Sequence, residues 1–497
     1  MTDPFILAID QGTSSTKTVI LDAQAAFVAG ATKPLKSSFP HAGFVEQDPQ
    51  EIYASALDSV QECVQDFVSK GGKLEQIRTC GISNQRETFI LWNKGGEPLT
   101  NAIVWQCKRS VGLCNRLKQS GIEQEIKNRT GLIIDPYFSG TKVIWLKENH
   151  ADIARAIESR DAYFGTVDTW LLYRLTKGSQ YLTDHTNASR TLFFNIHSLE
   201  WDRFLIQQFG CEGLNLPEVL TSANHFGETD FDGLLPNTIP INSMIGDSHA
   251  AAFGEGCFHP GIAKATLGTG SSILMNVGHA PRPSKSGMMS TICWSIPDRV
   301  DYASEGVIVS AGATIQWMRD QLELFADSAE TEAMARQVRD NNGVYVIPAF
   351  SGLGAPHWKM DARGAIVGLT FGATKHHVAR AALESIPYQI RDVISAMEQD
   401  IGVPLQALRV DGGITSNTFV MQFLTNVLGC PVVNIGVPDV SALGAGLTAG
   451  IGAGIYSSLD QIESLFQSKI EYQPDADHEG VQNYYREWQV QVARMIQ

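Results

Sequence analysis

The sequence predicts an α/β protein built as two like domains facing a central cleft, and three observations carry that expectation. Short apolar, β-branched strands alternate with segments whose apolar residues recur at helical spacing. A glycine-and-hydroxyl turn between two strands occurs twice, at 12–15 and again at 268–271. A chain of 497 residues, 43% apolar and 18% charged, folds as a globule and is larger than one hydrophobic core normally serves. The division expected is 1–252 and 253–497.

The opening stretch Ile6 to Leu21 reads as two strands joined by a tight turn. Asp10 stands at the end of the first strand and Gly12 permits close backbone approach. Thr13, Ser14 and Ser15 supply hydroxyl and N–H donors suited to a phosphate. Thr16, Thr18, Val19 and Ile20 carry the chain into a second strand, whereas a Walker loop would enter a helix and carry Gly-Lys-Ser/Thr. Taken alone, this turn is equally an ordinary hairpin. Asp48-Pro49-Gln50-Glu51 is a helix start, with Tyr53, Ala56, Leu57, Val60, Val64, Phe67 and Val68 on one face and Gly71-Gly72 as the stop. Ile77 to Ile82 is a buried strand that opens into the polar cluster Ser83-Asn84-Gln85-Arg86-Glu87-Thr88, placed where α/β sheets bind ligands. Arg86 and Glu87 with Trp105 would offer donor, acceptor and apolar wall to a hydroxyl-rich ligand, although a solvated surface pair is the commoner fate of such a dipeptide. Asp135 begins a turn into a helix, with Tyr137 either a core aromatic or a pocket phenol. The stretches 165–170 and 184–190 read as polar turns, and His185 as structural.

The second half opens with an apolar strand that presents Asp247 at its end, followed by a small-residue helix from Ala250. The turn at 268–271 then leads into another apolar strand, which suggests an internal duplication with each half gripping phosphate through backbone N–H groups. A strand runs through Ala311-Gly312-Ala313 into a helix. Residues 348–358 form a rigid loop, a helix kinked at Pro387 runs from 376 to 397, and Asp411-Gly412-Gly413 follows a further strand. The run Gly444-Ala-Gly-Leu-Thr-Ala449 matches a dinucleotide fingerprint only superficially. It lies within a helix-like run and opens none, so it reads as close helix packing. Past residue 460 the sequence is uninformative beyond a helical pattern near 481–495.

A formal net charge of −15 argues against nucleic acid or an anionic membrane as partner. The eight cysteines lack Cys-x-x-Cys pairs and metal-like spacing, and read as buried free thiols of a reducing compartment. With no basic n-region or cleavage site at the start, and a run at 442–454 too short to span a bilayer, a cytoplasmic location is expected.

An aspartate with a phosphate turn, a second such turn in the other half, an Asp-Gly-Gly turn suited to a nucleoside and a polar pocket beside Trp105 together describe an ATP site across two lobes. The arrangement resembles the actin-like (ribonuclease H-like) ATPase fold. More specifically, the chain resembles the FGGY family of carbohydrate kinases, and within it the branch acting on glycerol. The family's signatures stand at Tyr137-Phe-Ser-Gly-Thr-Lys142-Val-Ile-Trp145 and from Gly364 through the helix around Glu384-Ser385. Asn84-Gln-Arg-Glu-Thr88, Asn101-Ala-Ile-Val-Trp-Gln106, Gly165-Thr-Val-Asp-Thr-Trp170, Thr186-Asn-Ala-Ser-Arg190 and Gly352-Leu-Gly-Ala-Pro356 match as well. The resemblance covers the chain from the first strand to about residue 460.

The resemblance implies ATP and Mg²⁺, with Asp247 as the general base and Asp10 and Asp247 near the metal. Arg86, Glu87, Trp105 and Tyr137 would hold the polyol, with Ser248 bordering it. Thr13, Ser14, Ser15 and Lys17 would meet the β and γ phosphates. Gly268, Thr269 and Gly312 would cradle the nucleotide phosphates, and Gln316, Gly413 and Asn417 would lie near the nucleoside. By the same analogy the chain forms a homodimer or homotetramer. Phosphorylation of a terminal hydroxyl of glycerol to sn-glycerol 3-phosphate is the leading expectation. Three departures stand beside it: Ser248 where the family usually has glutamine, Ser272 where it has an aromatic, and Lys17 where it has arginine, which loses the bidentate fork. The two serines enlarge the pocket and leave a longer polyol or a ketose as the alternative. A non-catalytic actin-like ATPase scaffold is the alternative of another class, opposed by the intact polyol pocket. The loop 231–237 lacks the glycine-and-arginine pattern of a sugar-phosphate regulatory site. A sugar-phosphate titration at saturating substrate should therefore leave the rate unchanged, and inhibition would overturn this reading.

Overall fold

The computed structural model describes residues 4–466, 469–475 and 478–496. Two sheets dominate. The first has six strands in the order Ala223–Thr229, Ile239–Gly246, Ile77–Asn84, Phe5–Gln11, Ser15–Leu21 and Phe27–Pro34. The second has seven, in the order Met289–Ile296, Arg299–Ile308, Ser271–Gly278, Ile262–Leu267, Ala407–Asp411, Val432–Asn434 and Ile470–Tyr472. The internal duplication is visible in the pairing. Phe5–Gln11 pairs antiparallel with Ser15–Leu21 and parallel with Ile77–Asn84, just as Ile262–Leu267 pairs antiparallel with Ser271–Gly278 and parallel with Ala407–Asp411. Strands of this kind end side by side, and ligands collect beyond their carboxyl ends.

Local chemistry explains most elements. The Asp48 carboxylate accepts the Gln50 N–H at 2.7 Å and caps the helix Pro49–Ser69. Ile52, Ala56, Val60, Val64 and Phe67 are buried on its inner face. Val68, expected on that face, is exposed, while the neighbouring Phe67 ring is buried against Phe5 at 4.9 Å. The stretches read as polar turns at 165–170 and 184–190 are instead the starts of the helices Val167–Leu175 and His185–Ala188. In the second, Asp184 is a capping group that accepts the N–H groups of Thr186 and Asn187, both at 2.9 Å; in the first, no side chain caps the helix, and the Thr166 hydroxyl donates to Asp168 Oδ1 at 2.5 Å. His185 is structural as expected, buried with Nδ1 3.1 Å from the Ser295 hydroxyl. The helix expected over 376–397 runs longer, Lys375–Ile401, continues through Pro387 and stops at Gly402 in the left-handed region. All eight cysteines are free, seven of them buried. No described helix is long and apolar enough to cross a membrane.

The glycine-rich run lies within the helix Val440–Gly452, which comes from the second half of the chain and packs on the first sheet and on the helix Asp247–Gly254. A Cβ added at Gly444 would stand 1.8 Å from the Ala250 carbonyl oxygen, and one at Gly81 2.2 Å from that of Ala445. Glycine is required there because backbone meets backbone. Gly444→Ala should destabilise the protein by about 1–3 kcal/mol in denaturant melts. Gly112→Ala, which meets open space on the helix Val111–Gln119, should leave stability unchanged or slightly raised. Equal melts for the two variants would refute this account of the interface.

Candidate active site

The strand Ile77–Asn84 releases Arg86 and Glu87 into the space between the sheets, and both are buried although charged. Burial of ions is tolerated only when partners and hydrogen bonds replace water. Here four side chains close a ring. Arg86 Nη1 donates to Glu305 Oε1 at 2.8 Å, and Arg190 Nη1 donates to Glu305 Oε2 at 2.5 Å. Arg190 Nε donates to Glu87 Oε1 at 2.7 Å, and Arg86 Nε lies 3.7 Å from that same oxygen. Burial works to raise the Glu305 carboxyl, but Arg190 and Arg86 outweigh it and hold it down at about 2. The remaining edge of Arg86 faces the Tyr137 hydroxyl at 3.4 Å and Asp247 Oδ1 at 3.4 Å.

Aromatic walls border this ring. The Trp105 and Tyr137 rings meet edge to face at 5.3 Å. The Trp105 indole N–H donates to Thr13 Oγ1 at 2.8 Å, so the turn at 12–15 also orients the pocket wall. Asp247 begins the helix Asp247–Gly254 with its side chain 36% exposed. Its Oδ1 accepts the Ser248 N–H at 2.6 Å, and the helix N-terminus favours the carboxylate. The Ser248 and Ser272 hydroxyls stand 3.4 Å apart, two small side chains facing each other across the cleft.

Beside this pocket the ends of several elements gather charge. Asp10 accepts from the Ser83 hydroxyl at 2.8 Å. Burial first, then the Asp439 and Asp247 carboxylates, raise its carboxyl to about 7. Lys17 Nζ sits 3.0 Å from Asp439 Oδ2. Asp439 also caps the helix Val440–Gly452 by accepting the Ala442 N–H at 3.0 Å. In the second sheet, Gly312 N donates to the Gly268 carbonyl at 3.0 Å, and Ala311 N and Ala313 N donate to that of Thr269 at 2.9 and 3.0 Å. This seats the turn at 268–271 on the start of the helix Gly312–Asp320. Gly412 packs beneath the same turn, where a Cβ would meet the Leu267 backbone. Gly413 is exposed beside it, Asn417 caps the helix Thr418–Leu428 through Val420 N at 3.1 Å, and Gln316 is exposed on the helix from Gly312.

The structure thus gathers Arg86, Glu87, Trp105, Tyr137, Asp247 and Ser248 into one pocket, with Asp10, Thr13 and Lys17 beside it. Ser14 is exposed at the turn and Ser15 half-buried there. Gly268, Thr269, Gly312 and Gly413 form the opposite, backbone-lined wall. Sequence reasoning missed Glu305, Arg190 and Asp439. An acidic residue inside the apolar strand Arg299–Ile308 was the available signal for Glu305, and an aspartate before a small-residue helix the signal for Asp439.

Known proteins share this fold. The N-terminal domain model of the FGGY family of carbohydrate kinases matches residues 5–254, and the C-terminal domain model matches 263–453. The glycerol kinase of Caldanaerobacter subterraneus subsp. tengcongensis is 44% identical over 494 residues, covering 99% of this chain and 98% of its own length. The glycerol kinase of Plasmodium falciparum, in a crystal structure with ADP, superposes with a TM-score of 0.93 at 34% identity, covering 99% of this chain and 98% of that one. A xylulose kinase of Lactobacillus acidophilus, 24% identical, shares the fold with a TM-score of 0.88, covering 99% and 98% of the two chains.

The gathered carboxylates make one titration diagnostic. In the cation-free protein Asp10 should release its proton near pH 7 in NMR of ¹³C-labelled aspartate. Asp439→Asn removes a like charge and frees Lys17, so it should move that titration to lower pH; an unmoved titration would show that Asp439 does not set it.

Proposed function

The chain belongs to the FGGY family of carbohydrate kinases, and from that premise we propose that it transfers the γ-phosphoryl group of ATP to a terminal hydroxyl of glycerol, giving sn-glycerol 3-phosphate. The observation that carries the reading is the placement of the Asp247 carboxylate, partly open to the cleft, 3.4 Å from a buried Arg86 that is itself locked in the ionic ring. Such a pocket offers a hydroxyl-rich ligand a fixed cation, fixed acceptors and an aromatic wall. The glycerol kinases named above, at 34–44% identity over nearly the whole chain, support the substrate. The ADP in the Plasmodium falciparum structure supports the donor.

In this reading Arg86 and Glu87 hold two hydroxyls, and Trp105 and Tyr137 cover the carbon face. Asp247 accepts the proton of the third hydroxyl as its oxygen attacks the γ phosphorus. A carboxylate within reach of the hydroxyl suffices, because phosphoryl transfer asks mainly for positioning and charge neutralisation. Thr13, Ser14, Ser15 and Lys17 meet the β and γ phosphates from the first half of the chain. Gly268, Thr269 and Gly312 meet the nucleotide phosphates from the second, and Gln316, Gly413 and Asn417 border the nucleoside. Residues 1–252 then form the domain with the polyol pocket and 253–497 the domain with the nucleotide wall. Closing one on the other excludes water and limits wasteful ATP hydrolysis.

A divalent cation fits the charge at this point. Burial first, with the Asp439 and Asp247 carboxylates adding to it, keeps Asp10 partly protonated near neutrality. No three or more ligating side chains converge among the described residues, and magnesium bound through one or two carboxylates and phosphate oxygens needs no such cage. Asp10 and Asp247 would hold it, and when bound it neutralises the β and γ phosphate oxygens. A cytoplasmic place of action and a homodimeric or homotetrameric assembly belong to the same proposal.

The facing Ser248 and Ser272 favour a second reading, in which the pocket also admits a four- or five-carbon polyol or ketose. ADP release with Mg²⁺-ATP across glycerol, dihydroxyacetone, erythritol, threitol, xylitol, ribitol and xylulose separates the two. Glycerol should have the highest kcat/KM, and a clear preference for a longer substrate would replace the first reading with the second. Asp247→Asn should lower kcat by about 10²–10⁴-fold while sparing binding of a non-hydrolysable ATP analogue. Retained turnover would remove Asp247 from the base role.

A further inference from the structure

The ionic ring joins the two halves of the molecule at the polyol pocket. Arg86, Glu87 and Arg190 belong to the half built on the six-stranded sheet. Glu305 stands inside the strand Arg299–Ile308 of the seven-stranded sheet, paired with Leu274 on one side and Met289 on the other. Its side chain is fully buried, as is that of Arg190. Both Glu305 oxygens are committed across the cleft, one to each arginine. Arg190 is braced further by the Phe138 ring, 5.2 Å from its guanidinium carbon, and by the Thr291 hydroxyl at 3.3 Å, another group of the second sheet.

The same strand reaches the nucleotide wall. Ile308 pairs with Ser271, the last residue of the second phosphate turn. The Ile308 carbonyl would lie 2.5 Å from a Cβ at Gly270, so strand and turn touch backbone to backbone. Glu305 lies three residues along that strand. A rigid β-strand therefore connects the turn expected to hold phosphate with the carboxylate that holds Arg86.

The ring also decides which atoms remain for a ligand. Glu87 spends Oε1 on Arg190, leaving Oε2 to accept a hydroxyl. Arg86 spends Nη1 on Glu305, leaving its Nε and Nη2 edge toward Asp247 and Tyr137. Two cations and two anions alternate around the ring, so removing one anion would leave two buried guanidiniums to share one carboxylate.

We infer that Glu305, acting through Arg86 and with Arg190 as its counterpart, is a positioning residue that completes the polyol pocket from the nucleotide-binding half, so that polyol affinity and nucleotide occupancy are coupled through the strand Arg299–Ile308. Glu305 itself contacts no reacting atom. This rests on the assignment of Arg86 and Glu87 to the polyol, but not on glycerol being that polyol.

The test uses Glu305→Asp, which keeps the charge and withdraws the carboxylate by one methylene, beside Glu305→Gln, which keeps the shape and removes the charge. The full-length protein is titrated calorimetrically with the polyol that the wild type turns over best, with and without a non-hydrolysable ATP analogue, and steady-state kinetics are run in parallel. A misplacement of this size should weaken polyol binding and raise its KM by roughly 10–100-fold. The affinity of the ATP analogue alone should stay within about twofold, and kcat should fall much less than kcat/KM. In the wild type the analogue should tighten polyol binding; in Glu305→Asp that tightening should disappear. Unchanged polyol affinity in a folded Glu305→Asp protein would overturn the inference. So would a parallel loss of polyol and nucleotide affinity, which marks a purely structural role, or coupling that survives the substitution. If Glu305→Gln does not fold, Glu305→Asp decides alone. A wild type that prefers another polyol over glycerol refutes the substrate assignment and leaves this comparison intact.

Discussion

Two small-residue helices crossing at backbone contact are the constraint from which the site follows. In the helices Asp247–Gly254 and Val440–Gly452, Gly254 faces the Val440 carbonyl and Gly444 faces that of Ala250, at separations no larger side chain would allow. Both helices begin at a carboxylate, Asp247 as first residue and Asp439 as cap. The Ser441 hydroxyl donates to the Asp247 carbonyl at 3.2 Å, which ties the start of the second helix to the start of the first. The first strand ends beside them with Asp10. The two positive helix ends offset part of the repulsion among these carboxylates. Lys17 answers another part, while burial first and then the neighbouring Asp439 and Asp247 still hold the Asp10 carboxyl up.

The pocket next to this acidic centre solves the opposite problem. Desolvating an ion costs several kcal/mol even after relaxation, so a buried arginine beside a buried glutamate is no stability device by itself. Closing four such groups into a neutral ring satisfies most of their hydrogen-bonding capacity and leaves one edge of Arg86, one oxygen of Glu87 and the buried Arg190 Nη2 uncommitted. Rotamers locked in this way hold a ligand at fixed geometry, which is what a reaction governed by positioning requires. Because the fourth member comes from the other sheet, the pocket belongs to neither half alone.

Much of this was legible beforehand. The hairpins, the Asp48 cap and the aspartates at strand ends are short-range features, and they form where residue type and spacing place them. The polar stretch at 184–190 reads as a turn because a capping residue and a turn residue have the same chemistry, and at 165–170, where no side chain caps the helix, only the continuation into Val167–Leu175 distinguishes the two. Val68 lies at the margin of the periodic face, and periodicity reports that face without saying where its burial ends.

The order of elements, the doubling of the glycine-and-hydroxyl turn and the residues delivered to strand ends follow from the sequence alone, since each depends on contacts within a few positions along the chain. The partners of those residues follow from how distant segments pack. Arg86 meets Glu305 across 219 positions and Asp10 meets Ser83 across 73, and a charge in a sequence announces that it needs a counter-ion without saying which. Nor could spacing reveal that Val440–Gly452 packs on the sheet of the opposite half. That contact exists because two backbones can approach wherever glycine and alanine leave room, a condition set jointly by distant segments.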